Sequence, residues 1–238
     1  HQAFLADYPG ELEFLQHLRG LLGDRDVLVS YNGKSFDAQV LKTRFLMNGI
    51  DPLRNRHIDL LHPARRLWRR ILPDCSLGTL ERGILDLRRD LDISGWEVPE
   101  AYFAYLTGVA DGGLDALQRM TAVLAHHEQD IVSLAVLMGR MEALAVEDDD
   151  TVRVDRYELG RLLTGGATPE SVRDRGRAVL HELLRPNHPD ALRASLYLGA
   201  LYRRNGDLDR AEEVWCFAYE RLRSVEAAVA LAKLYEHR

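Results

Sequence analysis

Residues 27–37 read Val27-Leu28-Val29-Ser30-Tyr31-Asn32-Gly33-Lys34-Ser35-Phe36-Asp37. The first five form a short apolar run rich in β-formers, and Asn32-Gly33-Lys34 breaks it, so the stretch predicts a strand ending in a turn. Beyond the turn, Phe36, Val40, Leu41, Phe45 and Leu46 recur at helical spacing and stop at Asn48-Gly49. Asp37 is thus expected in the first turn of a helix, at the C-terminal end of a strand. Open α/β sheets bind ligands at that edge. Standing alone, an Asp there would do no more than favour the helix dipole, by ~0.3–1 kcal/mol.

The chain around this stretch continues the alternation. Upstream, Leu12, Leu15, Leu18 and Leu22 predict a helix opened by Pro9-Gly10 and ended by Gly23. Downstream, Ile58-Asp59-Leu60-Leu61 reads as a second short strand, leading into a basic helix over residues 63–71 that Pro73 halts. Ser76 can cap a further helix covering residues 79–85. Residues 86–96 read as an irregular connection, and Pro99 begins a helix bearing Tyr102, Phe103 and Tyr105. A long helix follows, over residues 114–145. Strand, helix, strand, helix in this order indicates an α/β layer fold.

With 238 residues the chain suits one large domain or two small ones. The acidic run Glu147-Asp148-Asp149-Asp150 reads as a solvated linker. No strand signal follows it beyond Val152–Val154. The expected domains are therefore 1–146, a linker over 147–154, and an all-helical region over 155–238. In that last region Gly199, Ala211 and Ala218 fall where two antiparallel helices must approach closely, with Leu198, Tyr202 and Trp215 filling the space between and Asn205-Gly206-Asp207 turning the chain. The triplet Leu198, Leu201, Tyr202 recurs as Leu231, Leu234, Tyr235, 33 residues later, and residues 159–184 read as a degenerate earlier copy. The pattern is similar to a tetratricopeptide repeat. Such repeats stack into a concave surface for protein docking, and a helical cap that only supports the first domain is the alternative.

A net charge of −6 excludes nucleic-acid affinity through bulk charge and leaves room for a local basic groove. Arg65, Arg66, Arg69 and Arg70, with Trp68, supply one candidate for phosphate contact. Asn32 and Lys34, in the turn before Asp37, join them as candidate nucleic-acid contacts. Cys75 and Cys216 lie too far apart to read as a ligand pair, and two isolated cysteines fit a reducing compartment, so a cytoplasmic protein is expected. No stretch approaches the ~20 apolar residues that span a bilayer, and no signal peptide is legible.

On the long helix, His126 and Asp130 stand at i and i+4 and share one face. A carboxylate and an imidazole so placed can serve as metal ligand and general base. Asn32-x3-Phe36-Asp37, followed far downstream by His126-x3-Asp130, resembles the later two motifs of DEDD exonucleases. More closely, the chain resembles the YprB-type ribonuclease H-like family. The resemblance rests on residues 28–37, on Ile58-Asp59-Leu60-Leu61-His62-Pro63-Ala64-Arg65-Arg66-Leu67-Trp68, on Cys75-Ser76-Leu77-Gly78-Thr79-Leu80-Glu81, on residues 98–106, and on His127-Glu128-Gln129-Asp130-Ile131-Val132-Ser133-Leu134. It covers about residues 1–140.

The resemblance implies a three-layer ribonuclease H-like fold and 3′→5′ phosphodiester hydrolysis with two Mg²⁺ or Mn²⁺ ions. It implies a nucleic acid, DNA or RNA, single-stranded or at a 3′ end, as the substrate. Asp37 and Asp130 match two of the four acids of such a site, as metal ligands and catalytic groups, with the base at His126 or, as the alternative, His127. Asp59 and His127 stand as possible supporting residues. An Asp-x-Glu on an opening strand, which supplies the other two acids, has no counterpart here, since Asp7, Glu11 and Glu13 sit at or on a helix start. A chain lacking the first strands of its fold is therefore expected. Three readings follow: a metal-dependent exonuclease domain, a catalytically inactive nuclease-fold scaffold with a protein-binding helical tail, and a helical adaptor.

Overall fold

The strand and helix read from residues 27–37 form in the computed structural model of the chain, which describes residues 2–89, 93, 95–108, 114–146, 152–166 and 168–236. Strand β1 spans Val27–Ser30 and helix α2 spans Asp37–Met47, after helix α1 at Glu11–Gly23. Strand β2, Arg56–Asp59, lies parallel to β1 with Val27 opposite Arg56 and Ser30 opposite Asp59. Parallel strands need a crossover, and α2 supplies it, making a βαβ unit. Strand β2 begins two residues earlier than expected, so Leu60 and Leu61 leave the sheet and are buried instead. Among the described residues the sheet has two strands.

The chain divides into two compact units. The first holds His1–Ala64 and Leu72–Met141, and the second holds Arg65–Ile71 and Glu142–Arg238. The division falls at residues 141 and 142, and the acidic run at 147–150 lies outside the described residues.

In the first unit, Phe45 is the buried anchor of α2, whereas Phe36, Val40, Leu46 and Met47 are exposed. Helix α3 covers Leu61–Trp68, shorter at its C-terminal end than the sequence predicts. The expected helix over 79–85 divides in two. Helix α4, Leu77–Leu80, is capped as predicted, the Ser76 hydroxyl accepting from the Thr79 N–H. A π-turn then runs over Glu81–Leu85 and ends at Asp86, whose φ of 52° is left-handed. Helices α5, Val98–Gly108, and α6, Leu114–Val146, follow as predicted. Residues 90–92 and 94, within the expected connection, lie outside the described residues.

The second unit is helical throughout its described part: α7 at Arg156–Leu163, α8 at Glu170–His181, α9 at Ala191–Arg204, α10 at Leu208–Leu222 and α11 at Val225–Glu236. Val152–Val154 forms no strand; Asp155 instead caps α7, its carboxylate accepting from the Glu158 N–H. The pairing of α9 with α10 depends on Gly199. A Cβ there would lie 2.2 Å from the indole nitrogen of Trp215, so only glycine lets the ring cross this helix. Ala211 and Ala218 are fully buried beside it, as expected for a close helix–helix approach. Leu231 and Leu234 of α11 are buried like their counterparts Leu198 and Leu201, but Tyr235 is exposed and donates to Glu212, unlike the buried Tyr202.

The segment at 65–71 changes its expected role. Trp68 is completely buried in the second unit and its indole N–H donates to the Arg153 carbonyl at 2.9 Å. It offers no face for stacking on a base. Arg70 is engaged by Asp155 and Asp190, each at 3.2 Å. Arg65, Arg66 and Arg69 remain exposed.

Candidate functional site

The turn after β1 is held from inside by Asp59. This carboxylate is 7% exposed and accepts the backbone N–H groups of Asn32 at 2.8 Å, Lys34 at 2.9 Å and Leu61 at 3.1 Å. Asn32 adopts a left-handed conformation with φ 63°, which Asn tolerates better than most side chains. Gly33 follows with no room for a side chain, since a Cβ would fall 2.8 Å from that of Ser30 and 3.2 Å from the Asp37 carboxylate. Asn32 and Lys34 thus use their backbone groups inward while their side chains are exposed. Asp37 is exposed at the first position of α2 and lines a cleft of about 430 Å³ with Ser30, Gly33, Ala38 and His57. Across the strands, the Ser30 hydroxyl and His57 Nε2 are 2.8 Å apart.

Burial opposes ionisation of Asp59, but the N–H donors of Lys34, Leu61 and Asn32 outweigh it, with help from the charge of His62. The carboxyl is therefore held below its ordinary value. The fold favours the ionised form, so the stability it contributes is complete above about pH 3.9, the ordinary Asp value, and is lost as pH falls through the lowered one. Melting of the first unit is expected to fall more steeply between pH 4 and 3 in the natural sequence than in Asp59→Asn. Equal slopes in thermal melts across that range would remove Asp59 as the cause.

Asp130 and His126 occupy a second cleft, of about 300 Å³, lined also by Ser76, Gly78, Arg82, Arg89 and Gly95. His126 Nε2 lies 3.4 Å from Asp130 Oδ2, one helical turn away on α6, and His127 is exposed. Between these groups stands Arg89, a residue the sequence did not single out. Its guanidinium is 8% exposed and grips Glu81 through Nε at 2.6 Å and Nη2 at 2.8 Å. The same Nη2 donates to Asp130 Oδ1 at 2.5 Å, and Nη1 lies 2.8 Å from His126 Nδ1. Glu81, in the π-turn, is 1% exposed and also accepts from the Ser133 hydroxyl. Burial opposes its ionisation, but Arg89 and then Ser133 outweigh it and hold the carboxyl below the ordinary range. Arg89 is in turn raised, first by Glu81 and then, against burial, by Asp130.

Asp37 and Asp130 thus line separate clefts. Among the described residues, no group of three or more His, Cys, Asp or Glu side chains is placed to hold a metal ion. Both Asp130 oxygens already face a partner, one of them a permanent cation. As arranged, these residues do not fit the Mg²⁺ or Mn²⁺ centre that the resemblance implies.

The family model of the RNase H superfamily matches residues 1–142. The chain belongs to the RNase H superfamily. It is also 30% identical over 229 residues to a protein of Bacillus subtilis (strain 168) described as uncharacterized protein YprB, over 89% of this chain and 51% of that protein. The chain spans about half the length of this curated relative. No solved structure gives a significant match. The RNase H-like region carries both clefts, and the helix-rich region follows it. None of the described helices is long and apolar enough to cross a membrane.

Proposed function

We propose that this RNase H-like region serves phosphodiester hydrolysis of nucleic acid, in the manner of a 3′→5′ exonuclease working on single-stranded or terminal DNA or RNA in the cytoplasm. The observation that carries the reading is the cleft on α6, where Asp130 and His126 lie one turn apart beside Arg82 and Arg89. A carboxylate, an imidazole and exposed Arg82 lining one cleft suit a phosphate ester. Asp37, at the end of β1, is the second acid of the reading, and exposed Asn32 and Lys34 flank it. Mg²⁺ or Mn²⁺ belongs to the reading for the natural full-length protein, not to the described residues as they stand. The helices of the second unit, with their tetratricopeptide-like pattern, are proposed as a surface for protein.

A second reading is favoured by one observation: Asp37 and Asp130 line separate clefts, and Arg89 neutralises Asp130. That arrangement suits a nuclease-fold scaffold. End-labelled DNA and RNA oligonucleotides, with and without chelator, separate the two. This chain alone is expected to bind them in a salt-sensitive way and cleave them poorly. The natural full-length protein is expected to trim them from the 3′ end in a chelator-sensitive reaction. Inactivity of the full-length protein on both nucleic acids would favour the scaffold.

A further inference from the structure

We propose that Arg19, Arg25, Arg54 and Arg56 form an anchorage for nucleic acid in the first unit, holding backbone phosphates at the end of the strands opposite Asp37. The inference rests on the reading of nucleic acid as the ligand and adds where its non-reacting stretch is held.

The four arginines come from three parts of the chain. Arg19 lies toward the end of α1, Arg25 in the turn into β1, and Arg54 and Arg56 where the chain enters β2. They line one cleft of about 370 Å³ with Gly23, Asp26 and Asn55. The parallel register gathers them, since Val27 lies opposite Arg56 at the start of both strands. Asn55 then ties the two turns together: its Nδ2 donates to the Leu22 carbonyl at 2.9 Å and to the Arg25 carbonyl. Arg19 is positioned by its Nε, which donates to the Asp51 carbonyl at 3.1 Å. Its guanidinium lies across Gly23, where a Cβ would fall 2.3 Å from Nη1.

The charge of the cleft calls for an anion. Elsewhere in the chain Arg44, Arg70 and Arg177 grip carboxylates. Among the described residues, no carboxylate pairs with any of these four arginines, although the chain carries a net charge of −6 and acids are plentiful. Asp26 is the one described acid lining the cleft; Asp24 and Asp51 are exposed next to it in sequence. Arg25, Arg54 and Arg56 are exposed, so their guanidinium forks are open to a ligand. Gathered like charges repel, and a ligand bearing several phosphates relieves the repulsion, each fork taking two oxygens at once. An anionic membrane fits less well. Binding there draws on apolar side chains that enter the lipid, and the lining residues are arginine, glycine, aspartate and asparagine. Asn55 also lines the cleft that holds Asp37, so the two clefts meet at this residue. The strands separate their ends by ~10 Å. A helical strand of nucleic acid advances ~3.4 Å per phosphate, so about three nucleotides cover that span.

The test is the anisotropy of a labelled oligothymidylate of about 20 nucleotides, several times that span, in chelator and across a salt series. Arg25→Ala with Arg54→Ala is expected to bind about 10- to 30-fold more weakly at ~0.1 M salt, and to flatten the slope of log affinity on log salt by about 1.4, or ~0.7 for each phosphate given up. Arg25→Lys with Arg54→Lys is expected to keep the slope, because the charges stay. Arg204→Ala with Arg221→Ala, at exposed positions of the second unit, is expected to bind as the natural chain does. A thermal melt checks each fold, and Arg25→Gln with Arg54→Gln carries the measurement if the alanine pair does not fold. Unchanged affinity and slope in the alanine pair would overturn the proposal and leave the nuclease reading standing. Loss of binding to phosphatidylserine vesicles, with oligonucleotide binding intact, would overturn it and assign the arginines to a membrane surface. A natural chain that does not bind the oligonucleotide would overturn it as well, and trimming by the full-length protein then judges the nuclease reading by itself.

Discussion

Glu81→Ala is expected to destabilise the first unit by about 2–3 kcal/mol, the scale of losing charged hydrogen bonds to buried partners. Glu81 is 1% exposed and Arg89 8%, so the pair is shielded from solvent. The substitution removes the two Glu81 oxygens from the Arg89 fork, leaving it Asp130 on Nη2, and leaves the buried Ser133 hydroxyl without its carboxylate. Removing charge from both partners, as in Glu81→Gln with Arg89→Gln, should cost less than Glu81→Ala, because the guanidinium charge goes together with the buried carboxylate that balanced it, and Asp130, a third exposed, can turn to water. Hydrogen exchange of α6 and π-turn peptides under increasing urea reads this unit without interference from the helical one. A loss under about 1 kcal/mol would place the pair with ordinary surface salt bridges.

The βαβ unit was legible in the sequence because its signals are local: a five-residue apolar run, an Asn-Gly break, then apolar residues at helical spacing. The α9–α10 pairing was legible for a different reason. Gly199, Ala211 and Ala218 opposite Trp215 leave only one way to pack two helices at close range. What escaped is non-local. Trp68 and Arg70 find their partners 85 residues on, at Arg153 and Asp155, and Arg70 a second at Asp190, 120 residues on. Nothing in the 65–71 stretch itself marks it as part of the second unit. Arg89 was missed because Glu81 lies in a π-turn and Arg89 in an irregular stretch, so their separation of eight residues matches no helical or strand period. His126 and Asp130 were found because one helix carries both. The guanidinium that ties them up comes from another part of the chain.

In the natural full-length protein, Asp37→Asn and Asp130→Asn are each expected to lower kcat/KM for oligonucleotide trimming on the order of 10²- to 10³-fold, the scale of removing one preorganised electrostatic group, while leaving oligonucleotide binding nearly intact. If the two acids serve one reaction centre, their effects cannot be independent: once the first is gone, the second has little left to support. The measurement that tests this most directly is the double-mutant cycle in kcat/KM on a 3′-terminal single-stranded substrate. The double variant is expected to be no worse than about tenfold below the poorer single one. Losses that multiply, or single variants as active as the natural protein, would contradict it and leave Asp37 and Asp130 to the separate clefts they line.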